Sequence, residues 1–345
     1  MDNTVLNLNI DSDRLFFGST GHGISRYDKP RYPVLQKLNK NMRSLFWEPE
    51  KTDMAGEKRS FNSMTDAEQF VFTENLKRQI LLDSIQGRAP SIVFMPYCTD
   101  PMLENCLATW GFFETIHSES YTHILKSIYP DPSVVVDSIP AIQPIADCAA
   151  SIARAYDNMQ NNPSKENLYL ALIAANALEG IRFYVSFACT FNFGERAMVT
   201  GSADVVRSIA RDETQHLALT QHILKLLPQD DVEFIEIIAD NHDRALGIYT
   251  EAKEQEKKWA NYLFSQGPIL GLTEGILHSY VDHLFQKQAS AVGLRVGPKV
   301  QNPIPSISKW LSSESLQVAP QELEIPYYLS ASSLSNDLDS FVPDF

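Results

Sequence analysis

Two Glu-x-x-His pairs carry the most chemical potential in this 345-residue chain, Glu114 with His117 and Glu213 with His216. A spacing of three places both side chains of a pair on one face of a helix. Around the first pair, Leu103, Leu107, Trp110, Glu114, His117 and Tyr121 follow one another at intervals of three or four. The stripe begins as ordinary core and then presents a carboxylate, an imidazole and a phenol inward. Ile209, Glu213 and His216 repeat the arrangement on a later helix. Two other helical stretches bring a single acid inward: Asp83 follows Leu76 and Ile80, and Glu179 lies between Leu172 and the pair Phe183 and Phe187. Burying unpaired carboxylates in apolar stripes is expensive, so something must compensate them.

A pair of metal ions compensates them well. Two divalent cations cancel the charge of four carboxylates, and neutral imidazoles leave that sum unchanged. Two single acids plus two Glu-x-x-His pairs on four helices form the ligand set of a di-iron or di-manganese site in the core of a helical bundle. The expected ligands are Asp83, Glu114, His117, Glu179, Glu213 and His216. Oxygen and imidazole donors suit iron or manganese, and the lack of thiolates disfavours zinc or an iron–sulfur cluster. Two metals sharing such ligands sit about 3.5–4 Å apart, close enough to bind and reduce dioxygen between them. One Glu-x-x-His pair arises often by chance; two, each preceded by a helix with one inward acid, form a far more specific pattern. Tyr121, one turn after His117, reads either as a core tyrosine or as a redox-active phenol shielded by Phe183, Phe187 and Ile209.

These residues need long helices, and the chain supplies them. Residues 1–60, rich in Gly, Pro, Asn and Asp, read as mostly irregular. Thr65 with Glu68 then fits a capping box, with Gly87 and Pro90 as the stop. Asp100-Pro101 opens a second helix that runs to about Ile128, ahead of Tyr129-Pro130-Asp131-Pro132. Further helices are expected near 145–160, 165–193, 203–227, 230–263 and 269–291, with no β-hairpin signal and no short repeat. The fold class is all-α. From Gly293 the prolines 298, 303 and 305 break the chain, and a Ser- and Asp-rich stretch follows Tyr328. That tail reads either as a frayed terminus or as a docking peptide anchored by Leu338, Phe341 and Phe345.

Composition narrows the function classes. A net charge of −14, without a dense Lys/Arg cluster, disfavours nucleic acid and anionic membrane surfaces as partners. Cys98, Cys106, Cys148 and Cys189 form no Cys-x-x-Cys pair, which argues against a zinc ribbon or a disulfide-stapled secreted fold. The polar N-terminus lacks a signal peptide, and no apolar run reads as long enough to span a bilayer. A reducing cytoplasm is the simplest setting.

The segments LLDSIQGR around Asp83, WGFFETIHSESYTHI around Glu114, His117 and Tyr121, LEGIRFYVSFACTF around Glu179 and IARDETQH around Glu213 and His216 carry a resemblance. With FFG and YDKPRYP near the start and NPIP and QVAPQELE near the end, the chain resembles the small, radical-generating subunit of class I ribonucleotide reductase over nearly its whole length. The resemblance implies a ferritin-like helical bundle over 61–292, an N-terminal segment 1–60 packed on it, an irregular segment 293–327, and a tail 328–345 that docks a large catalytic subunit. It implies two iron ions in a di-iron-oxo centre, with manganese as the alternative, activated by dioxygen and an electron donor. It implies a stable radical on Tyr121, passed to the large subunit for reduction of ribonucleoside diphosphates. Trp47 in LFWEPE matches the relay tryptophan, Asp212 its partner beside the metal, Tyr328 the tail tyrosine that hands the radical across, and Glu322 an interface acid. Members of this family are homodimers. The competing readings are another ferritin-like oxidase or iron-storage protein, which has no need of Trp47 and Tyr328, and a non-catalytic bundle with merely structural acids.

Overall fold

The computed structural model describes residue 8, residues 11–19 and residues 23–311. Its helices are α1 (Pro33–Ser44), α2 (Glu57–Asn62), α3 (Asp66–Gln86), α4 (Pro101–Ile128), α5 (Ser133–Val136), α6 (Gln143–Asn161), α7 (Lys165–Ala177), α8 (Tyr184–Glu195), α9 (Thr200–Asp230), α10 (Glu233–Asp240), α11 (His242–Leu263), α12 (Glu274–Ala291) and α13 (Ile307–Leu311). Among the described residues the only extended pairings are isolated bridges, Phe16 with Cys98 and Ile269 with Leu272. The protein is an all-α bundle. Its centre is formed by α3, α4, α9 and the segment between α7 and α8, enclosed by α6, α11 and α12.

The long site helices start where their sequences supply caps. The Thr65 side chain accepts from the Glu68 amide at 3.3 Å while Glu68 Oε2 accepts from the Thr65 amide at 3.0 Å, a complete capping box on α3. Asp100 Oδ1 accepts from the amides of Met102 (3.0 Å) and Leu103 (2.9 Å), ahead of Pro101 in the first turn of α4. Helix α9 is capped from a distance. Buried Glu57 of α2 accepts from the amides of Gly201 and Ser202 at 3.0 Å each, meeting the positive end of the helix with a carboxylate.

Several expectations need correction. The first sixty residues include α1 and the start of α2; Leu35, Leu38 and Met42 of α1 are buried against the bundle, a face concealed by the local abundance of Pro and Asn. The helix expected over 230–263 is two helices. Asn241 ends α10 by donating its side-chain amide to the Ile237 carbonyl at 2.9 Å, and α11 starts afresh at His242. The helix expected from 269 starts at Glu274, because Gly271 takes a left-handed φ of 89° and Thr273 is the cap. The stretch Lys165–Glu195 is long and apolar enough to cross a membrane by length and composition, against the sequence reading, and its apolar window is 100% buried inside the protein. The stretch is also not a uniform helix: Leu178–Arg182 is π-helical, an insertion that rotates Glu179 relative to the α-helical turns on either side.

The N-terminal segment is fastened to the end of α9 by charge. Asp230 accepts from the Leu15 amide (2.7 Å), Arg31 Nε (2.8 Å) and the Tyr32 hydroxyl (3.0 Å). Asp231 pairs with Arg14 and with Lys165, each at 2.6 Å.

Candidate metal centre

Helices α3 and α4, the π-helical turn and α9 each bring acids or imidazoles to one point in the core. Asp83, Glu114, His117, Glu179, Glu213 and His216 are all fully buried. Donor atoms of Asp83, Glu114, His117 and Glu213 lie within 4.8 Å of one another, and so do those of Glu114, Glu179, Glu213 and His216. The two groups share Glu114 and Glu213, so these two carboxylates would contribute to both halves of a two-ion site.

The hydrogen bonding shows that protein groups alone do not satisfy this cluster. Both oxygens of Asp83, Glu114 Oε2, Glu179 Oε2, Glu213 Oε1 and His117 Nδ1 are buried without a hydrogen-bond partner. His117 Nδ1 faces Glu213 Oε1 at 3.2 Å and Glu114 Oε2 at 3.6 Å, and His216 Nδ1 lies 3.3 Å from Glu114 Oε1 and 3.0 Å from Glu213 Oε2. Lone pairs from four acids and two imidazoles converge with no protein donor to meet most of them, and a pair of divalent cations fits that donor set.

The protein's own charges leave their mark on protonation. Burial lifts Asp83 well above the carboxylate range, and the charges of Glu114 and Glu213 lift it further. Glu179 is raised by burial and then by Glu213. Burial also pushes Glu213 upward, but its bonding to Glu179 and to both imidazoles outweighs that, and it stays ionised. For His216 burial acts downward, yet Glu114 and Glu213 carry its imidazole up to about 9. Metal ions would displace the protons held here, since coordination requires deprotonated acids and neutral imidazoles.

Tyr121 is fully buried beside Asp83. Burial, followed by the charges of Asp83 and Glu213, raises its phenol well above the usual range, so the hydroxyl stays neutral. Phe183, Phe187 and Ile209 are also fully buried, and the two phenylalanine rings stack with centroids 5.8 Å apart.

A chain of contacts leads outward from His117. Its Nε2 lies 3.3 Å from Asp212 Oδ2, and the same oxygen accepts from the indole Nε1 of half-buried Trp47 at 2.7 Å. Arg211 holds the other Asp212 oxygen through Nε (3.2 Å) and Nη2 (3.1 Å), and Nη2 also donates to the Leu45 carbonyl at 2.6 Å. Tyr328, Glu322, Phe341 and Phe345 lie outside the described residues.

Sequence reasoning overlooked several residues that touch the centre. Trp110, read as core, donates its indole N–H to Glu114 Oε1 at 2.8 Å. Gln86 donates to Glu179 Oε1 at 2.6 Å and accepts from the Tyr156 hydroxyl at 2.6 Å. Gln86 was within reach of pattern reading, three residues after Asp83 on the same face. Tyr156 carries no local signal, because only packing of α6 against α3 brings it there.

A helical bundle whose core gathers two single acids and two Glu-x-x-His pairs in overlapping four-ligand groups is a ferritin-like di-metal carboxylate protein. Residues 26–300 match the family described as ribonucleotide reductase, small chain. The chain is 42% identical over 342 residues to the ribonucleoside-diphosphate reductase subunit beta of Buchnera aphidicola from Acyrthosiphon pisum, covering 91% of each. It is 41% identical over 342 residues to subunit beta of ribonucleoside-diphosphate reductase 1 of Escherichia coli O157:H7, again covering 91% of each. Among solved structures, the ribonucleotide reductase R2 subunit from Clostridium botulinum shares the fold with a TM-score of 0.84 at 22% identity, over 90% of this chain and 98% of that one. The chain belongs to the ribonucleotide reductase small-chain family, and it is a component of an oxidoreductase that reduces ribonucleotides.

Proposed function

We propose that this chain stores an oxidising equivalent as a radical on Tyr121 beside a di-iron centre, and delivers it to a large catalytic subunit that reduces ribonucleoside diphosphates. The observation that carries the reading is the continuous path Trp47 Nε1–Asp212 Oδ2–His117 Nε2, which joins a half-buried indole near the surface to a ligand of the buried centre. A storage protein or a self-contained oxidase has no use for such a path.

When bound by Asp83, Glu114, His117, Glu179, Glu213 and His216, two redox-active ions supply the oxidising chemistry with dioxygen that a phenol requires. The chain's own residues do the rest. Burial keeps the Tyr121 phenol neutral, so losing one electron means losing its hydroxyl proton as well, giving a neutral phenoxyl radical, one proton and one electron. Asp83 is the carboxylate beside that hydroxyl and is in place to take part in the proton's movement. Phe183, Phe187 and Ile209 exclude water and reductants, which would quench the radical. Asp212 holds the Trp47 indole and faces His117, and Arg211 balances the Asp212 charge. Tyr328 and Glu322, with the apolar anchors Phe341 and Phe345, are assigned by sequence to the contact with the large subunit.

Iron is the metal of this reading, and manganese is the alternative that the same donors accept. Four buried cysteines without a disulfide suit a reducing cytoplasm. Homodimer formation is supported by Phe46 and Phe112, 53% and 51% exposed and stacked at 6.0 Å, an apolar patch that water disfavours.

The deciding experiment is electron paramagnetic resonance of the apoprotein after anaerobic loading with ferrous iron and exposure to oxygen, beside Tyr121→Phe. A tyrosyl signal in the wild type that disappears in the variant supports the reading and locates the radical. Loading without any radical, with either iron or manganese, removes it.

A further inference from the structure

The four site acids are not equally free. Asp83 makes no hydrogen bond through either oxygen, although the Tyr121 hydroxyl stands beside it. Glu213 has Oε2 against His216 Nδ1 at 3.0 Å and Oε1 without a partner. Glu114 and Glu179 are each tied through Oε1 by an uncharged donor, the Trp110 indole at 2.8 Å and the Gln86 amide at 2.6 Å, and each keeps an unpartnered Oε2.

The tie on Glu179 is itself held in place. Gln86 is fully buried, and its other amide atom, Oε1, accepts from the Tyr156 hydroxyl at 2.6 Å. With the carbonyl end committed to a hydroxyl donor, the NH2 end must face Glu179; without that hydroxyl the amide can turn over and set an oxygen against the carboxylate. Tyr156 is also buried, its ring edge-on to Phe94 at 6.2 Å, and Phe94 stacks on Trp110 at 6.0 Å. One aromatic wall thus stands behind the donors to both Glu114 and Glu179.

Resting on the di-metal reading of this site, we propose that Gln86 and Tyr156 are a positioning pair for Glu179. They occupy one carboxylate oxygen, present only the other toward Glu114, Glu213 and His216, and thereby set how tightly that half of the centre holds its ion. The half formed by Asp83 and His117 receives no donor from this pair and is independent of it.

The test is a manganese(II) titration of the full-length apoprotein, with free ion followed by electron paramagnetic resonance, for the wild type, Gln86→Leu, Tyr156→Phe and the double variant. Folding is checked in each by circular dichroism and thermal melting. Two ions are expected in the wild type. Gln86→Leu should weaken one of them about 10–100-fold, the usual cost of removing a partner of a metal ligand, and leave the other near its wild-type affinity. Tyr156→Phe, which removes one oxygen and keeps the ring, should weaken the same ion by less. The double variant should be no weaker than Gln86→Leu, since both residues act through one hydrogen bond. Unchanged isotherms, or equal weakening of both ions, would overturn the positioning role. A wild type that binds fewer than two ions would overturn the di-metal reading as well, so the two failures are distinct.

Discussion

Trp47 and Asp212 stand 165 positions apart in the chain, yet the indole Nε1 of one donates to Oδ2 of the other at 2.7 Å. That oxygen also lies 3.3 Å from His117 Nε2. Arg211 ties the arrangement to the backbone at Leu45, two residues before Trp47. The N-terminal segment and helix α9 therefore meet in one polar junction that ends on the metal centre.

Removing either partner should separate making the radical from using it. Trp47→Phe and Asp212→Asn are each expected to retain the Tyr121 signal after iron loading. Asp212→Asn should lower ribonucleotide reduction in the complex with the large subunit by about 10–100-fold, and Trp47→Phe by at least as much. Reduction assays beside spin counts on the same samples check this. Full activity in Trp47→Phe would remove the path from the mechanism.

Metal removal should cost stability, because the four acids lose the cations that offset one another's charge. With free manganese(II) or ferrous iron at about 100 times its dissociation constant, the loaded protein should gain about 2.7 kcal/mol per bound ion over the chelated one. Differential scanning calorimetry under anaerobic conditions reads this as a higher melting temperature. An unchanged melting temperature on chelation would favour purely structural acids.

Asp231 should make part of the stability pH-dependent. Burial pushes its carboxyl upward, but hydrogen bonds from Lys165 and the Glu233 amide, with the charges of Lys165 and Arg14, hold it below its ordinary value. A lowered folded pKa means the contribution is present above the unfolded value of about 3.9 and fades as the pH falls through the folded one. Asp231→Asn should destabilise by about 1–2 kcal/mol at pH 7, toward the lower end because Arg14 is 36% exposed. The gap to the wild type should begin to narrow below about pH 4 and close only once the pH is below the lowered folded value. Urea unfolding at pH 7 and pH 3.5 measures it, and a constant difference across that range would exclude the ionic origin.

Phe46 and Phe112 supply a test of the homodimer. A charge in the stacked patch, as Phe112→Glu, should shift the protein toward monomer in sedimentation velocity at micromolar concentration. The metal stoichiometry should remain as in wild type, since Phe112 is 51% exposed whereas the ligands are fully buried. A wild-type monomer, or an unaffected dimer in the variant, would place any self-association elsewhere.

Much of the site was legible because helices write their inward faces into the sequence at fixed intervals. Glu114 with His117 and Glu213 with His216 needed only the helical period, and the caps at Thr65 and Asp100 announced α3 and α4. Reading failed where the controlling contact is remote. Helix α1 owes its order to packing on α4 and α9, the start of α9 depends on Glu57 of α2, and Asn241 ends α10 with its own side chain. The π-helical turn at Leu178–Arg182 gives no periodic signal of its own, since a one-residue insertion is invisible within a continuously apolar stretch.

The amino-acid order by itself determined the all-α class, the inward Asp83, Glu114 and Glu213 with the two imidazoles, and the phenol one turn beyond His117, because these follow from spacing along single α-helices, whereas Glu179 takes its orientation from the π-helical turn. Only the tertiary structure decided which oxygens stay free. Whereas the Trp110 bond to Glu114 is a local contact one turn along α4, the Gln86–Tyr156 pair occupies one oxygen of Glu179, and Trp47 reaches Asp212, through contacts between elements far apart in the chain. Hydrogen bonds of that kind depend on how helices cross and rotate against one another, and no local periodicity records it.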